Sequence, residues 1–135
     1  MDPLSIGFAV VHVAKLATQL TLLIKKVVKA HAEVARLLRD VQQFRRELDI
    51  LARLVRHPQF LPHLPKDYVE QVLSDGEKAL ENLLLNLQKV SIEDGENLKV
   101  HKLSWIFHES RCREHHLRLA ECLGRLKSLK DTATL

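Results

Sequence analysis

The sequence has few aromatic residues, glycines, prolines and cysteines. Aromatic side chains account for 4% of its 135 residues, and there are four glycines, four prolines and two cysteines. The chain therefore lacks the turn-forming residues of a β-sandwich or barrel and the cysteines of a disulfide-stabilised fold, which excludes those classes. It is nevertheless 46% hydrophobic, and its length predicts one helical domain, over residues 1–135, with a core of its own.

The net charge of +4 is unevenly distributed along the chain. Residues 1–64 carry a formal charge of +5, residues 65–97 carry −5 and residues 98–135 carry +4. We expect neighbouring helices to satisfy most of this alternation by pairing opposite charges. The alternative is a basic face that binds anionic lipid or an acidic partner.

Apolar residues in the first half of the chain recur at alternating steps of three and four, which predicts amphipathic helices. One stripe comprises Ile6, Val10, Val13, Ala17, Leu20, Ile24 and Val27, and a second comprises Val34, Leu37, Val41, Phe44, Leu48, Leu51 and Val55. The heptad phase differs between the two stripes, and one helix over residues 4–56 would be about 80 Å long. A compact domain of this size cannot hold such a helix, so we predict a break near Lys29–Ala32.

The second half of the chain predicts two more helices and two loops. Three prolines make residues 57–65 a loop, Pro65 can open the next helix, and residues 91–97 around Asp94-Gly95 form a second loop. Residues 98–107 are predicted as a short helix or irregular lead-in, followed by a last helix over 110–129. The fold class is therefore all-α: a four-helix up-down bundle with a short extra helix before the last. The apolar stripes of helices three and four are Val69, Val72, Leu80, Leu83, Leu87 and Val90, and Leu119, Leu123, Leu126 and Leu129.

The N-terminal segment is unusually poor in charge, since Lys15 is the one charged residue between Pro3 and Ile24. As a helix this segment would be about 33 Å long, enough to cross a hydrocarbon core of about 30 Å. Its apolar residues favour insertion by about 5 kcal/mol, but Lys15 opposes it by about 3 kcal/mol, and His12, Gln19 and the threonines add further cost, so the balance is marginal. We therefore reject a permanent monomeric span. A buried bundle helix is the simpler interpretation, and a helix that enters the membrane when released from the bundle is the alternative.

Three arginines, Arg39, Arg46 and Arg53, repeat every seven residues opposite the apolar stripe of the second helix. Such a row can contact phospholipid head groups or an acidic protein surface. An ordinary solvated outer face is the simpler interpretation. Nucleic acid is not an expected partner, because no aromatic residues are interleaved with the arginines and no DNA-binding spacing is present.

Metal binding and catalysis find little support in the sequence. His108, Cys112 and either His115 or His116 could share a helix face, and all four are zinc-capable, but no CxxC or HExxH accompanies them. We expect no metal, cofactor or small-molecule substrate, and no enzyme, because phosphate-loop and nucleophile motifs are missing. Cys112 and Cys122 are too far apart on one helix for a disulfide, so we expect free thiols in a reducing compartment.

Four parts of the sequence share a pattern with a known family. They are the opening Met1-Asp2-Pro3-Leu4-Ser5-Ile6-Gly7, the stretches 37–41 and 48–51, and Lys102-Leu103-Ser104-Trp105-Ile106-Phe107 followed by Leu117 and residues 123–129. Together they resemble the fungal HeLo-like N-terminal domains of NLR-type (STAND) proteins. The family commonly has a Leu-x-Trp-x-Phe segment that leads into its last helix. The chain has Ile106 where the family often has proline.

The resemblance implies an effector domain that oligomerises, releases its first helix and engages membrane in regulated cell death or immunity. It implies that the inserting residues are Leu4, Ile6, Phe8, Val10, Val11 and Val13, and that Gly7 permits close helix packing. We expect the N-terminal module of a longer cytoplasmic protein that can be recruited to the plasma membrane, with itself and anionic lipids as partners. The alternative is a non-lytic interaction module that recruits another helical signalling domain.

Overall fold

The computed structural model describes residues 3–27, 32–57, 59, 65–94, 97–100 and 102–134, with side chains at 5–27, 32–57, 59, 65–89 and 109–131. The fold is an all-α bundle, as predicted. The helices are α1 (Pro3–Lys25), α2 (Ala32–Arg56), α3 (Lys66–Val90) and α4 (Lys102–Thr134). A two-stranded hairpin of β1 (Ser91–Asp94) and β2 (Asn97–Val100) joins α3 to α4.

The helix boundaries in the first half of the chain follow the sequence signals. α1 ends at Lys25 and α2 begins at Ala32, which confirms the break inferred from the shift in apolar phase, although residues 28–31 lie outside the described part. α3 begins directly after the proline-rich segment, of which residues 58 and 60–64 are likewise outside it. The carbonyl of Pro65 accepts a hydrogen bond of 3.0 Å from the N–H of Val69, so Pro65 opens α3 as expected.

The core is built from the predicted apolar stripes. Every described stripe residue of the four helices is buried, and Val90 is the one member whose side chain is not described. Full burial of a valine, leucine or isoleucine stabilises a fold by about 1.5–3 kcal/mol. The periodicity of the sequence therefore identifies the surfaces that hold the bundle together.

The helices occupy the corners of a square in which α1 and α4 lie on one diagonal and α2 and α3 on the other. α1 packs against α2 and α3, and α4 packs against the same two helices. Ion pairs between α2 and α4 advance together along both helices, from Glu33–Arg113 to Glu47–Lys130, so these neighbours run parallel. A parallel pair is compatible with an up-down bundle here, because α2 and α4 are not consecutive in the chain. The consecutive helices α2 and α3 lie on opposite corners of the square.

The connection before the last helix differs from the prediction. Residues 91–97 are not simply a loop and residues 98–107 are not a separate short helix: Ser91 pairs with Val100 and Asp94 with Asn97 in an antiparallel hairpin. The Asp-Gly dipeptide at 94–95 is a known hairpin signal. α4 is one helix from Lys102 to Thr134, longer than predicted at both ends, because no glycine or proline interrupts residues 101–123.

Most ion pairs between helices in the described residues join α2 and α4, which both lie in basic segments of the chain, so these pairs do not neutralise the acidic middle segment. Arg113 pairs with Glu33 at 2.8 Å, and His116 lies 2.6 Å from Asp40. The acidic middle segment contributes Asp75, which pairs with Arg125 at 3.0 Å. Solvent-accessible pairs of this kind each stabilise a fold by less than about 1 kcal/mol. They therefore influence which helices are neighbours more than they contribute to stability.

Candidate membrane-binding surface

The residues predicted to insert into a membrane fall on both faces of α1. Ile6, Val10 and Val13 are buried in the core, whereas the side chains of Phe8 and Val11 are 68% and 46% exposed. Residues one or two positions apart on a helix are turned by about 100° or 200° relative to each other, so the predicted set cannot act as one surface in the closed bundle.

Leu4 and Gly7 are the two remaining predicted positions. The side chain of Leu4 lies outside the described residues. A Cβ atom built on Gly7 would meet no described atom within 4 Å, so close packing at this glycine is not seen among the described side chains.

The outer face of α1, defined here as Phe8, Val11, Lys15 and Leu22, mixes apolar and basic side chains. Leu22 is 56% exposed, and Lys15 is exposed between the apolar residues. The steps of three, four and seven place these residues on one side of the helix. Single exposed apolar residues are common on soluble proteins, but three of them beside a lysine resemble the surface of an interfacial helix.

α1 also has the length and hydropathy of a membrane-spanning helix. Residues Ser5–Lys25 have a mean hydropathy of 1.6, and one third of this segment is buried in the bundle. Core helices and signal sequences share these properties. The buried stripe accounts for much of this hydropathy. Packing in the core does not explain the apolar residues on the outer face of α1.

The arginine row, which consists of Arg39, Arg46 and Arg53, lies on the outer side of α2. All three residues are exposed, and each precedes by two positions a buried residue of the α2 stripe. Two positions correspond to about 200° around a helix, so the row points away from the core. None of the three forms an ion pair with another described residue. The row is thus a basic surface on a helix that packs beside α1, and the exposed Asp49 lies one turn from Arg46 and from Arg53.

A groove of about 320 Å³ lies between the parallel helices α2 and α4, with Leu83 and Leu87 of α3 among its lining residues. Arg113 lines it and pairs at 2.8 Å with both Glu33 and Glu109. Leu117, also in the lining, is 64% exposed. This α2–α4 groove is therefore a second surface of the bundle on which apolar side chains are exposed to solvent.

The groove brings together a cysteine, a histidine and a carboxylate, but not as an activated nucleophile. Cys112 lies one turn before His116, whose Nε2 atom is 2.6 Å from Asp40. Burial, with a smaller contribution from Glu33, raises the pKa of the Cys112 thiol to about 11. Nucleophilic cysteines need a lowered pKa, so Cys112 remains a protonated core residue. Both cysteines are free, as predicted.

Of the zinc-capable residues noted in the sequence, Cys112 and His116 share the α2–α4 groove, but neither belongs to a group of three close metal ligands among the described residues. His116 contacts Asp40, and Cys112 is buried. Burial lowers the pKa of His115, and Arg118 adds to this effect. His108 lies outside the residues with described side chains.

A different group of possible metal ligands, which the sequence did not suggest, lies between α1 and α3. His12, Glu77 and Glu81 each offer one possible ligand atom, and these three atoms lie within 4.8 Å of one another. His12 is 65 residues from Glu77 in sequence, and no spacing rule links them. Only knowledge of which helices are neighbours could have found this group.

The chain matches no protein-family model, no curated protein and no solved structure.

Of the sequence-predicted residues, the structure exposes Phe8 and Val11 on α1 and the arginine row on the adjacent α2, and it buries Ile6, Val10 and Val13. The exposed residues thus give an apolar patch on α1 and a basic row on α2, and the buried residues would become available only if α1 left the bundle.

Proposed function

We propose that this domain is a HeLo-like effector that binds anionic membranes, oligomerises there and engages the bilayer through α1 in regulated cell death or immunity. In this proposal it is a cytoplasmic module of a longer fungal NLR-type protein that is recruited to the plasma membrane. The observation that carries the proposal is the exposure of Phe8, Val11 and Leu22 on a helix long and apolar enough to span a bilayer.

Energetics favour surface binding before insertion. α1 buries five large apolar side chains in the core, Ile6, Val10, Val13, Leu20 and Ile24, which together contribute about 8–15 kcal/mol to the closed bundle. Moving the isolated helix from water into a bilayer would be favourable by at most about 2 kcal/mol, which is the apolar contribution less the cost of Lys15. A closed monomer therefore binds through its outer surfaces, and release of α1 requires a further contribution such as self-association.

The arginine row supplies the electrostatic part of surface binding. Each arginine or lysine near an anionic leaflet contributes about 1 kcal/mol, and apolar side chains that enter the head-group region add to this. Phe8 and its neighbours on α1 would provide the apolar component, and the row on α2 would provide the basic component.

Vesicle binding of the full chain tests the proposal. We expect binding to vesicles that contain phosphatidylserine and not to neutral phosphatidylcholine vesicles. Phe8→Asp should weaken binding about tenfold or more, because it removes an apolar contact and adds a negative charge. Leu85→Asp is the matched control, since Leu85 is 53% exposed on α3 and this variant should bind like the parent chain.

Circular dichroism should show that both variants remain folded, because both positions are exposed. Val10→Asp cannot serve in this test, since it would bury a charge in the core and unfold the bundle. Equal binding of Phe8→Asp and Leu85→Asp would contradict the role of α1. A chain that neither binds nor permeabilises anionic vesicles, as a monomer or as a crosslinked oligomer, would end the membrane proposal.

The second candidate is a non-lytic interaction module that recruits another helical domain, and the α2–α4 groove favours it. Its apolar lining beside the exposed Leu117 could accept a partner helix. This candidate predicts no vesicle binding and loss of partner binding in Leu117→Asp, whereas the membrane proposal predicts that Leu117→Asp binds vesicles normally.

A further inference from the structure

His12 on α1 faces two glutamates on α3 across the interface between these helices. The Nε2 atom of His12 is 3.2 Å from Oε1 of Glu77, and Glu81 follows one turn later on the same face of α3. One ligand atom from each residue lies within 4.8 Å of the other two. His12 and Glu81 are exposed and Glu77 is half-buried, so the group is open to solvent.

These distances suit a tetrahedral transition-metal site. Zinc binds histidine nitrogen and carboxylate oxygen at about 2.0–2.2 Å, which places adjacent ligand atoms of a tetrahedron about 3.3–3.6 Å apart. The separation between His12 and Glu77 is already close to this range. Glu81 needs a small rotamer adjustment to join them, and solvent can supply the fourth ligand.

The charges around this group also distinguish it from the other acidic residues of the bundle. Glu77 and Glu81 are like charges at i and i+4, an arrangement that destabilises a helix. Elsewhere in the described residues, each carboxylate that pairs between helices faces an arginine, a lysine or a histidine of its own, as in Asp75–Arg125, Glu47–Lys130 and Asp40–His116. Among the described residues, no lysine or arginine pairs with Glu77 or Glu81. A bound cation would supply the missing positive charge.

We propose that His12, Glu77 and Glu81 bind a zinc-class divalent cation that fastens α1 to α3. The imidazole favours zinc and similar transition metals over magnesium and calcium, which prefer all-oxygen sites. Because the ligands come from two helices, the site exists only while α1 is seated in the bundle. The cation therefore stabilises the closed state by a free energy that grows with the logarithm of its concentration relative to its Kd. This proposal is independent of the membrane function.

Calorimetric titration and thermal unfolding of the metal-free full chain test the site. We expect Zn²⁺ to bind with 1:1 stoichiometry and to raise the Tm in a concentration-dependent manner, and Mg²⁺ to do neither. NMR spectra of the eight histidines should show the imidazole of His12 shifting on addition of Zn²⁺.

Variants at exposed positions separate this site from general binding of zinc to histidines. His12→Gln and Glu81→Gln should each weaken Zn²⁺ binding at least tenfold and abolish the rise in Tm, while remaining folded without metal. His57→Gln and Glu70→Gln, which alter exposed residues outside the group, should bind Zn²⁺ like the parent chain. Absence of a 1:1 complex, or undiminished binding by His12→Gln, would overturn the proposal.

Discussion

The ring of Phe44 on α2 reaches across the diagonal of the bundle and lies against the backbone of Gly76 on α3. A Cβ atom built on Gly76 would be 2.7 Å from Cζ of Phe44 and 3.3 Å from Cε1. Phe44 is fully buried and packed within the core, so its ring has little freedom to move away. Gly76 interrupts the apolar pattern of α3, and its missing side chain leaves space for Phe44, the largest fully buried side chain among the described residues.

We predict that Gly76→Ala destabilises the fold by about 1–3 kcal/mol through overpacking against Phe44. This reverses the usual sign, since replacing a mid-helix glycine by alanine ordinarily stabilises by about 1 kcal/mol. Urea denaturation of the full chain measures the change. Gly124→Ala is the matched control: no described atom would lie within 4 Å of the new Cβ, and this variant should be stabilised.

The same contact predicts a compensating substitution. Phe44→Leu shortens the side chain that faces Gly76, so the double variant Phe44→Leu, Gly76→Ala should be more stable than the sum of the two single changes indicates. Additive effects would show that the two residues do not interact.

The arginine row is predicted to govern binding to anionic vesicles. Replacing Arg39, Arg46 and Arg53 by glutamine should weaken the vesicle Kd about a hundredfold at low salt, from about 1 kcal/mol per charge. The corresponding variant on α3, with Lys66, Lys78 and Lys89 changed to glutamine, removes the same charge from exposed positions and should have a much smaller effect. Equal losses in the two variants would mean that net charge, and not this surface, determines binding.

Cys112 should react with alkylating reagents only when the bundle opens. Its pKa of about 11, against an ordinary value of 9.0, lowers the thiolate fraction at pH 8 about a hundredfold, and burial limits access further. Iodoacetamide labelling followed by mass spectrometry should therefore be at least a hundredfold slower in the folded chain than in urea. Burial also raises the pKa of Cys122, which should behave in the same way. Similar rates in the folded and unfolded chains would contradict the described burial.

His115 is predicted to make the fold less stable in mild acid. Burial is the main cause that lowers its pKa below the ordinary value of 6.5, so below that pH the unfolded chain binds the proton more readily than the folded one. The stability associated with neutral His115 is full above pH 6.5 and is lost as the pH falls through the lowered pKa. The loss of unfolding free energy between pH 7.5 and 5.5 should be smaller in His115→Gln than in the parent chain.

An unchanged pH dependence in His115→Gln would show that other groups account for the acid sensitivity.

The apolar periodicity of the sequence was sufficient to predict the four helices and the core. It works because a helix repeats every 3.6 residues and each helix buries one stripe, from Ile6 to Leu129. The hairpin was missed because the charged residues around Asp94-Gly95 masked two four-residue strands, too short for alternation to be informative. The unbroken α4 was missed because the weak pattern over residues 98–107 was given more weight than the absence of helix breakers.

The candidate sites depend on helix neighbours, which periodicity does not specify. The sequence identified the exposed arginine row because the side opposite an apolar stripe faces solvent. In α1 the contrast between the two faces is weaker, because nearly all residues around Phe8 and Val10 are apolar. The apolar stripe includes Val10 and omits Phe8, whereas the inserting residues implied by the resemblance include both. The approach of His12 to Glu77 depends on α1 lying beside α3, which is determined by tertiary packing.

The diagonal link between α2 and α3 divides the bundle into two antiparallel pairs, each formed by consecutive helices. Contacts within each pair are local in sequence, whereas the contacts of α1 with α3 and of α2 with α4 join the two halves. A chain cut within residues 57–65 would leave two fragments, each with one complete pair and half of the apolar surface. Such fragments, made separately, should reassemble into the intact bundle without a covalent connection.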